Sequence, residues 1–66
     1  MIRTDKLAGV IAEKGHTKAD VAKAIGVTPD TFYRKMKIGI FGSDEIDAMI
    51  DFLDIQHPCE IFFVRQ

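Results

Sequence analysis

Between Thr17 and Lys37, apolar residues recur at helical spacing in two short runs broken by a single glycine. In the first run Val21, Ala22 and Ile25 fall on one side of a helix. Thr17 precedes them as an N-cap, since its hydroxyl can accept from an otherwise unpaired backbone N–H. Gly26 follows at once, where a chain leaving a helix often turns left-handed, a backbone that side chains resist. Val27 then plugs the corner. Thr28-Pro29 restarts a helix, with Thr as N-cap and Pro at the first helical position, where its missing N–H costs nothing. This succession predicts a helix-turn-helix over residues 17–37.

The second helix of the pair has two distinct sides. At about 100° per residue, Phe32 and Met36 define a buried face. Asp30, Arg34 and Lys37 fall opposite, with Thr31 and Tyr33 flanking them. Lys35 borders the buried stripe, so its stem is expected along apolar surface with the ammonium in water. The outward face thus offers a guanidinium, an ammonium, a phenol, a hydroxyl and one carboxylate. Arg can bond bidentately to guanine, Tyr and Lys can hold phosphates, and Asp can accept from cytosine N4 or orient a neighbouring Arg. On an isolated helix such a face is merely solvated. Behind a capped helix and a glycine turn it reads as a surface for duplex DNA.

The flanking segments are helical too. Thr4 is read as N-cap of a first helix, with Asp5 at the positive end of its dipole. Leu7, Val10 and Ile11 supply its buried face beside Ala8 and Ala12, and Gly15 ends it. Residues 38–42 form a loop by their two glycines, and Ile40 or Phe41 is expected to tuck under the core. Ser43 is read as the cap of a fourth helix. There Ile46, Met49, Ile50 and Leu53 run at i, i+3, i+4, i+7, while Asp47, Asp51 and Asp54 line a solvated side. Pro58 begins a short fifth helix from Cys59 to Phe63. The pattern predicts one all-α domain over residues 1–66, a compact four- to five-helix bundle.

Composition narrows the function. At 66 residues the chain has room for one small core. Its 47% hydrophobic and 29% charged residues are those of a globular protein. No apolar run approaches the ~20 residues that cross a bilayer, and the start lacks a signal-peptide pattern. Cys59 is the single cysteine, which excludes an internal disulfide framework and fits a reducing compartment, so a cytoplasmic protein is expected. Enzyme chemistry is not expected: Cys59, His57 and His16 lack a workable arrangement, and His57-x-Cys59 has no second ligand pair for zinc. Cys59, standing before two aromatics, reads as a small core residue, and His16 as a turn residue before the second helix. No cofactor, metal or small-molecule ligand is called for.

The net charge of −1 hides an asymmetry. Residues 1–37 hold eight basic against four acidic side chains, a balance of +4. Residues 38–66 hold one basic against six acidic, a balance of −5. Such a dipole can turn the basic half toward a polyanion even when total charge is near zero.

With these features in place, the chain resembles the Cro/C1-type, lambda-repressor-like helix-turn-helix DNA-binding family from Leu7 through Phe62. Leu7 and Ile11 carry the likeness on the first helix, and Val21-Ala22 with Ile25-Gly26-Val27 through the turn. Thr31-Phe32-Tyr33-Arg34 carry it on the third, and Glu45-Ile46, Ile50 and Phe52-Leu53 on the fourth. Pro58 to Phe62 resembles the family's closing helix. The likeness implies a transcriptional regulator, most simply a phage or mobile-element repressor in the bacterial cytoplasm or nucleoid. Its third helix enters the major groove while the second crosses the backbone. Thr28, Asp30, Tyr33 and Arg34 then become base-reading candidates, and Thr17, Lys18, Thr31 and Lys37 phosphate candidates. The chain departs from the family pattern at Pro29, where many members carry a Gln that reads adenine. It departs at Lys35, where the family is usually apolar, leaving Met36 to complete the core. Asp44 and Glu45 begin the fourth helix where relatives often approach a phosphate.

One recognition helix reads only a few base pairs, so two copies on half-sites about 34 Å apart are expected. In the apolar end, Ile61 and Phe62 are assigned to the core, and Phe63 and Val64 to a weak homodimer contact. The competing reading is a protein-interaction module, antitoxin-like or an anti-repressor partner, that keeps the fold with little or no DNA binding. A continuous positive surface through Arg34, Lys37 and Lys18 separates the two.

Overall fold

Capping and turn chemistry divide the chain into five helices, seen in a computed structural model that describes residues 2–63. They are α1 (Thr4–Glu13), α2 (Lys18–Ile25), α3 (Pro29–Ile38), α4 (Ser43–Leu53) and α5 (Cys59–Phe62). No strand occurs among the described residues.

The caps of α2 and α3 follow the sequence closely. Thr17 Oγ1 accepts from the Asp20 N–H at 3.1 Å, and the Asp20 carboxylate accepts in return from the Thr17 N–H at 2.9 Å. Two orphan donors are thereby satisfied by one reciprocal pair. Gly26 ends α2 at φ +81°, and the Val27 N–H closes onto the Ala22 carbonyl at 2.9 Å. Thr28 Oγ1 accepts from the Thr31 N–H at 3.3 Å, with Pro29 opening α3. Gly39 ends α3 at φ +82°, and the N–H groups of both Gly39 and Ile40 reach the Lys35 carbonyl.

Two expected caps lie one residue away from where the sequence suggested. Arg3, not Thr4, is the N-cap of α1, and no side chain makes a capping bond to the backbone there. Gly42, not Ser43, is the N-cap of α4. Its N–H donates to Glu45 Oε1 at 2.8 Å, so the third residue of the helix satisfies the cap residue's own N–H, while no side chain accepts from the first N–H groups of the helix. Asp54 ends α4 in the left-handed region at φ +50°, a conformation that Asp tolerates better than most side chains.

The core is continuous across all five helices. Leu7, Val21, Ala22, Phe32 and Met49 are fully buried, joined by Ile11, Leu53, Phe41, Ile61 and Phe62. Helix α2 is central, packed on both α3 and α4, while α1 rests on α2 and α5. Between the two residues offered for the loop, burial selects Phe41, at 7% exposure, and leaves Ile40 at 66%. Helix α5 stops at Phe62, one residue earlier than expected. Cys59 is exposed rather than in the core, because Ile61 and Phe62 take the inward positions of so short a helix. The N-terminal segment is tied to α5 by the Arg3 N–H, which donates to the Ile61 carbonyl at 2.7 Å. The radius of gyration, 10.6 Å, matches the ~11 Å of a globule of this length.

Candidate nucleic-acid interface

An open groove runs between α1, α2 and α3, and three of the expected contact residues line it. Lys18 enters from the first turn of α2; Tyr33 and Lys37, one helical turn apart, enter from α3. Met36 supplies an apolar patch on its floor. Arg34, adjacent to Tyr33, is exposed on the outward side of α3, as is Asp30 one turn earlier. Among the described residues, Arg34, Lys18 and Lys37 take part in no ion pair. Tyr33 is 48% exposed, a large aromatic left accessible beside three cations.

The acidic groups near this face are partly spent. Asp5 lines the groove, but the Arg3 guanidinium grips it through two bonds, Nε–Oδ1 at 3.1 Å and Nη2–Oδ2 at 2.8 Å. That hydrogen-bonded pairing lowers the Asp5 carboxyl to about 2. Asp20 is turned into the α2 cap, and the Thr17 N–H and hydroxyl hold its carboxyl below the usual range. Asp30 has neither kind of partner, though it sits in the first turn of α3, where the helix dipole favours a carboxylate.

The threonines divide by how their hydroxyls are used. Thr28 accepts from the Thr31 N–H and shares a 2.9 Å hydroxyl–hydroxyl bond with Thr31, so capping already engages it. Of the pair, Thr31 lies half-buried and Thr28 exposed. Thr17 uses its oxygen as an acceptor in the α2 cap, and its hydroxyl also serves the Asp20 carboxylate.

Lys35 differs from expectation. Its ammonium is paired rather than free: Nζ donates to both carboxylate oxygens of Glu45, each at 2.7 Å. The two side chains are 30% and 16% exposed. The lysine bond, followed by the Gly42 N–H, holds the Glu45 carboxyl below its ordinary value despite partial burial. The pair removes Lys35 from the outward face and offsets the negative charge that Glu45 brings to the start of α4. Asp44 remains exposed. Sequence spacing gave no sign of this contact, which joins residues ten apart on different helices. Nor did it show that His16, in the turn before α2 as expected, packs against Phe52 with ring centroids 4.6 Å apart and planes tilted by 38°.

In the C-terminal segment Phe63 is 58% exposed, in an edge-type arrangement with Phe62 at a ring-centroid distance of 6.5 Å. Val64, the other residue assigned to a self-contact, lies outside the described residues. Among the described residues no group of three or more His, Cys, Asp or Glu side chains converges as a metal site, and no helix is long and apolar enough to cross a membrane. Comparison of the chain with family models, with characterised proteins and with solved structures found no match.

Proposed function

We propose that the chain is a sequence-specific duplex-DNA-binding transcriptional regulator of the lambda-repressor-like helix-turn-helix type, acting as a repressor by occupying its site. The observation that carries this reading is the groove where Lys18 from α2 meets Tyr33 and Lys37 from α3, with Arg34 exposed beside them. Cations without ion-pair partners, an accessible phenol and an exposed helix suit a phosphate backbone flanking a major groove. In this reading Arg34 and Asp30 face base edges, with Tyr33 at the boundary between base and backbone. Lys18, Lys37 and the Thr31 hydroxyl take phosphates, with Thr17 adding less because its hydroxyl serves the α2 cap. Thr28 contributes less, because its hydroxyl is committed to the α3 cap. Two copies on adjacent half-sites supply the sequence information that one helix lacks.

Selection of a binding duplex from a randomised pool, followed by Arg34→Ala, tests the assignment. The substitution should cost on the order of 1–3 kcal/mol on the selected duplex and relax preference at one base position. An equal loss on selected and random duplexes makes Arg34 a phosphate contact. No binding at low salt refutes DNA recognition and leaves this face to a protein partner.

A further inference from the structure

Lys35 closes the α3–α4 connection twice. Its carbonyl accepts from the Gly39 and Ile40 N–H groups at 2.7 and 3.3 Å, ending α3. Its side chain spans the same loop and meets Glu45, whose Oε1 also accepts from the Gly42 N–H. One residue of α3 is therefore bonded to the start of the loop and to Glu45 in the first turn of α4, and through Glu45 to the loop's other end at Gly42. Inside this loop Phe41 is buried against Phe32 of α3, ring centroids 5.5 Å apart. Two independent attachments, one apolar and one ionic, thus hold the exit of α3. They act at different places. Phe32 and Phe41 fix how deeply the helix sits, whereas an ion pair at the side of the helix resists rotation about its axis.

That distinction bears on the residues next door. Arg34 precedes Lys35 directly, and Lys37 follows two positions later on the same helix. A small roll of α3 would swing Arg34 out of line with a base edge, where bidentate bonding needs a defined direction, yet would hardly disturb attraction to phosphates. Resting on the DNA-binding reading above, we infer that Lys35 and Glu45 are positioning residues. Their ion pair sets the roll of α3, and with it the discrimination between duplex sequences, without touching DNA.

The test compares full-length wild type with the Lys35→Met/Glu45→Gln double variant, which leaves net charge unchanged. The probes are a duplex selected by the wild type from a randomised pool and a random-sequence duplex of equal length. The expected result is a loss of roughly three- to tenfold in the ratio of selected to random affinity, the size of coupling typical of contacting residues. Affinity for the random duplex, and the slope of log affinity against log salt, should stay as in the wild type. Lys35→Arg in the otherwise wild-type chain, which can pair bidentately with Glu45, should keep the wild-type ratio. If the double variant fails to fold, Lys35→Met alone keeps the Glu45 bond to the Gly42 N–H and should lower the ratio in the same way. A selected duplex bound with wild-type discrimination by the variant overturns the inference while leaving the DNA reading intact. A fall in salt slope of about one unit for Lys35→Met also overturns it, since the ammonium would then contact phosphate. Failure to select any duplex overturns the DNA reading and this inference together.

Discussion

The ring of Phe41 lies 5.5 Å from that of Phe32 at an interplanar angle of 51°. A residue of the loop after α3 thus packs on the largest fully buried side chain of α3 itself. Tilted aromatic pairs at this distance add to the stabilisation of area burial alone. The contact also explains why Ile40, its neighbour, points into solvent: two consecutive residues in an extended loop cannot both face inward.

Removing this anchor should be severe. Phe41→Ala is expected to cost about 3–5 kcal/mol, the range for truncating a buried phenylalanine. That is a large part of the total stability of a domain this small. Thermal unfolding followed by circular dichroism checks it, and Ile40→Ala should change little in the same experiment.

Phosphate contacts have a distinct signature. Lys18→Ala and Lys37→Ala should each weaken binding to selected and random duplexes alike. Each should reduce the magnitude of the slope of log affinity against log salt by about one unit. Fluorescence polarisation across a salt series reads the slope directly. An unchanged slope for either variant takes that lysine off the DNA.

Acid stability should follow Glu45. Its carboxyl titrates below its ordinary 4.5 in the folded chain, chiefly because of Lys35, so protonation favours the unfolded state. The stabilisation is complete above the ordinary value and is lost as pH falls through the lowered one. Asp20, lowered from 3.8 by the α2 cap, acts in the same direction. Urea denaturation at successive pH values should therefore show stability declining below about pH 4.5, within the range where carboxylates protonate. Glu45→Gln should make that decline shallower.

The proposed self-contact rests on Phe63, which is exposed and outside α5. Phe63→Asp should leave the melting temperature unchanged and shift the protein toward monomer in sedimentation. Affinity for a selected two-half-site duplex should fall while a single half-site is bound as before. Unfolding of the variant would return Phe63 to the core and move the self-contact elsewhere.

What the chain determines by itself is what depends on neighbours in sequence. The Thr17 and Thr28 caps, Pro29 at the start of α3 and the left-handed Gly26 each act within about four residues. The stripes of Leu7 and Ile11, of Val21 and Ala22, and of Met49 and Leu53 are periodic, so burial follows from helix geometry alone. The exposed positions of Tyr33, Arg34 and Lys37 on α3 are legible for the same reason.

Only tertiary structure decided the rest. Whether Ile40 or Phe41 turns inward depends on the space beside Phe32, which no local pattern encodes. Cys59 is exposed because a helix of four residues has room for few inward side chains, and Ile61 and Phe62 fill them. The lysine at position 35 looks from α3 alone like a solvated cation. Its ammonium meets Glu45 because the fold returns the first turn of α4 to the side of α3. Helices form from contacts a few residues apart, whereas the partners of a long, charged side chain are set by how those helices pack. The outward face of α3 could be read residue by residue; the brace at its edge could not.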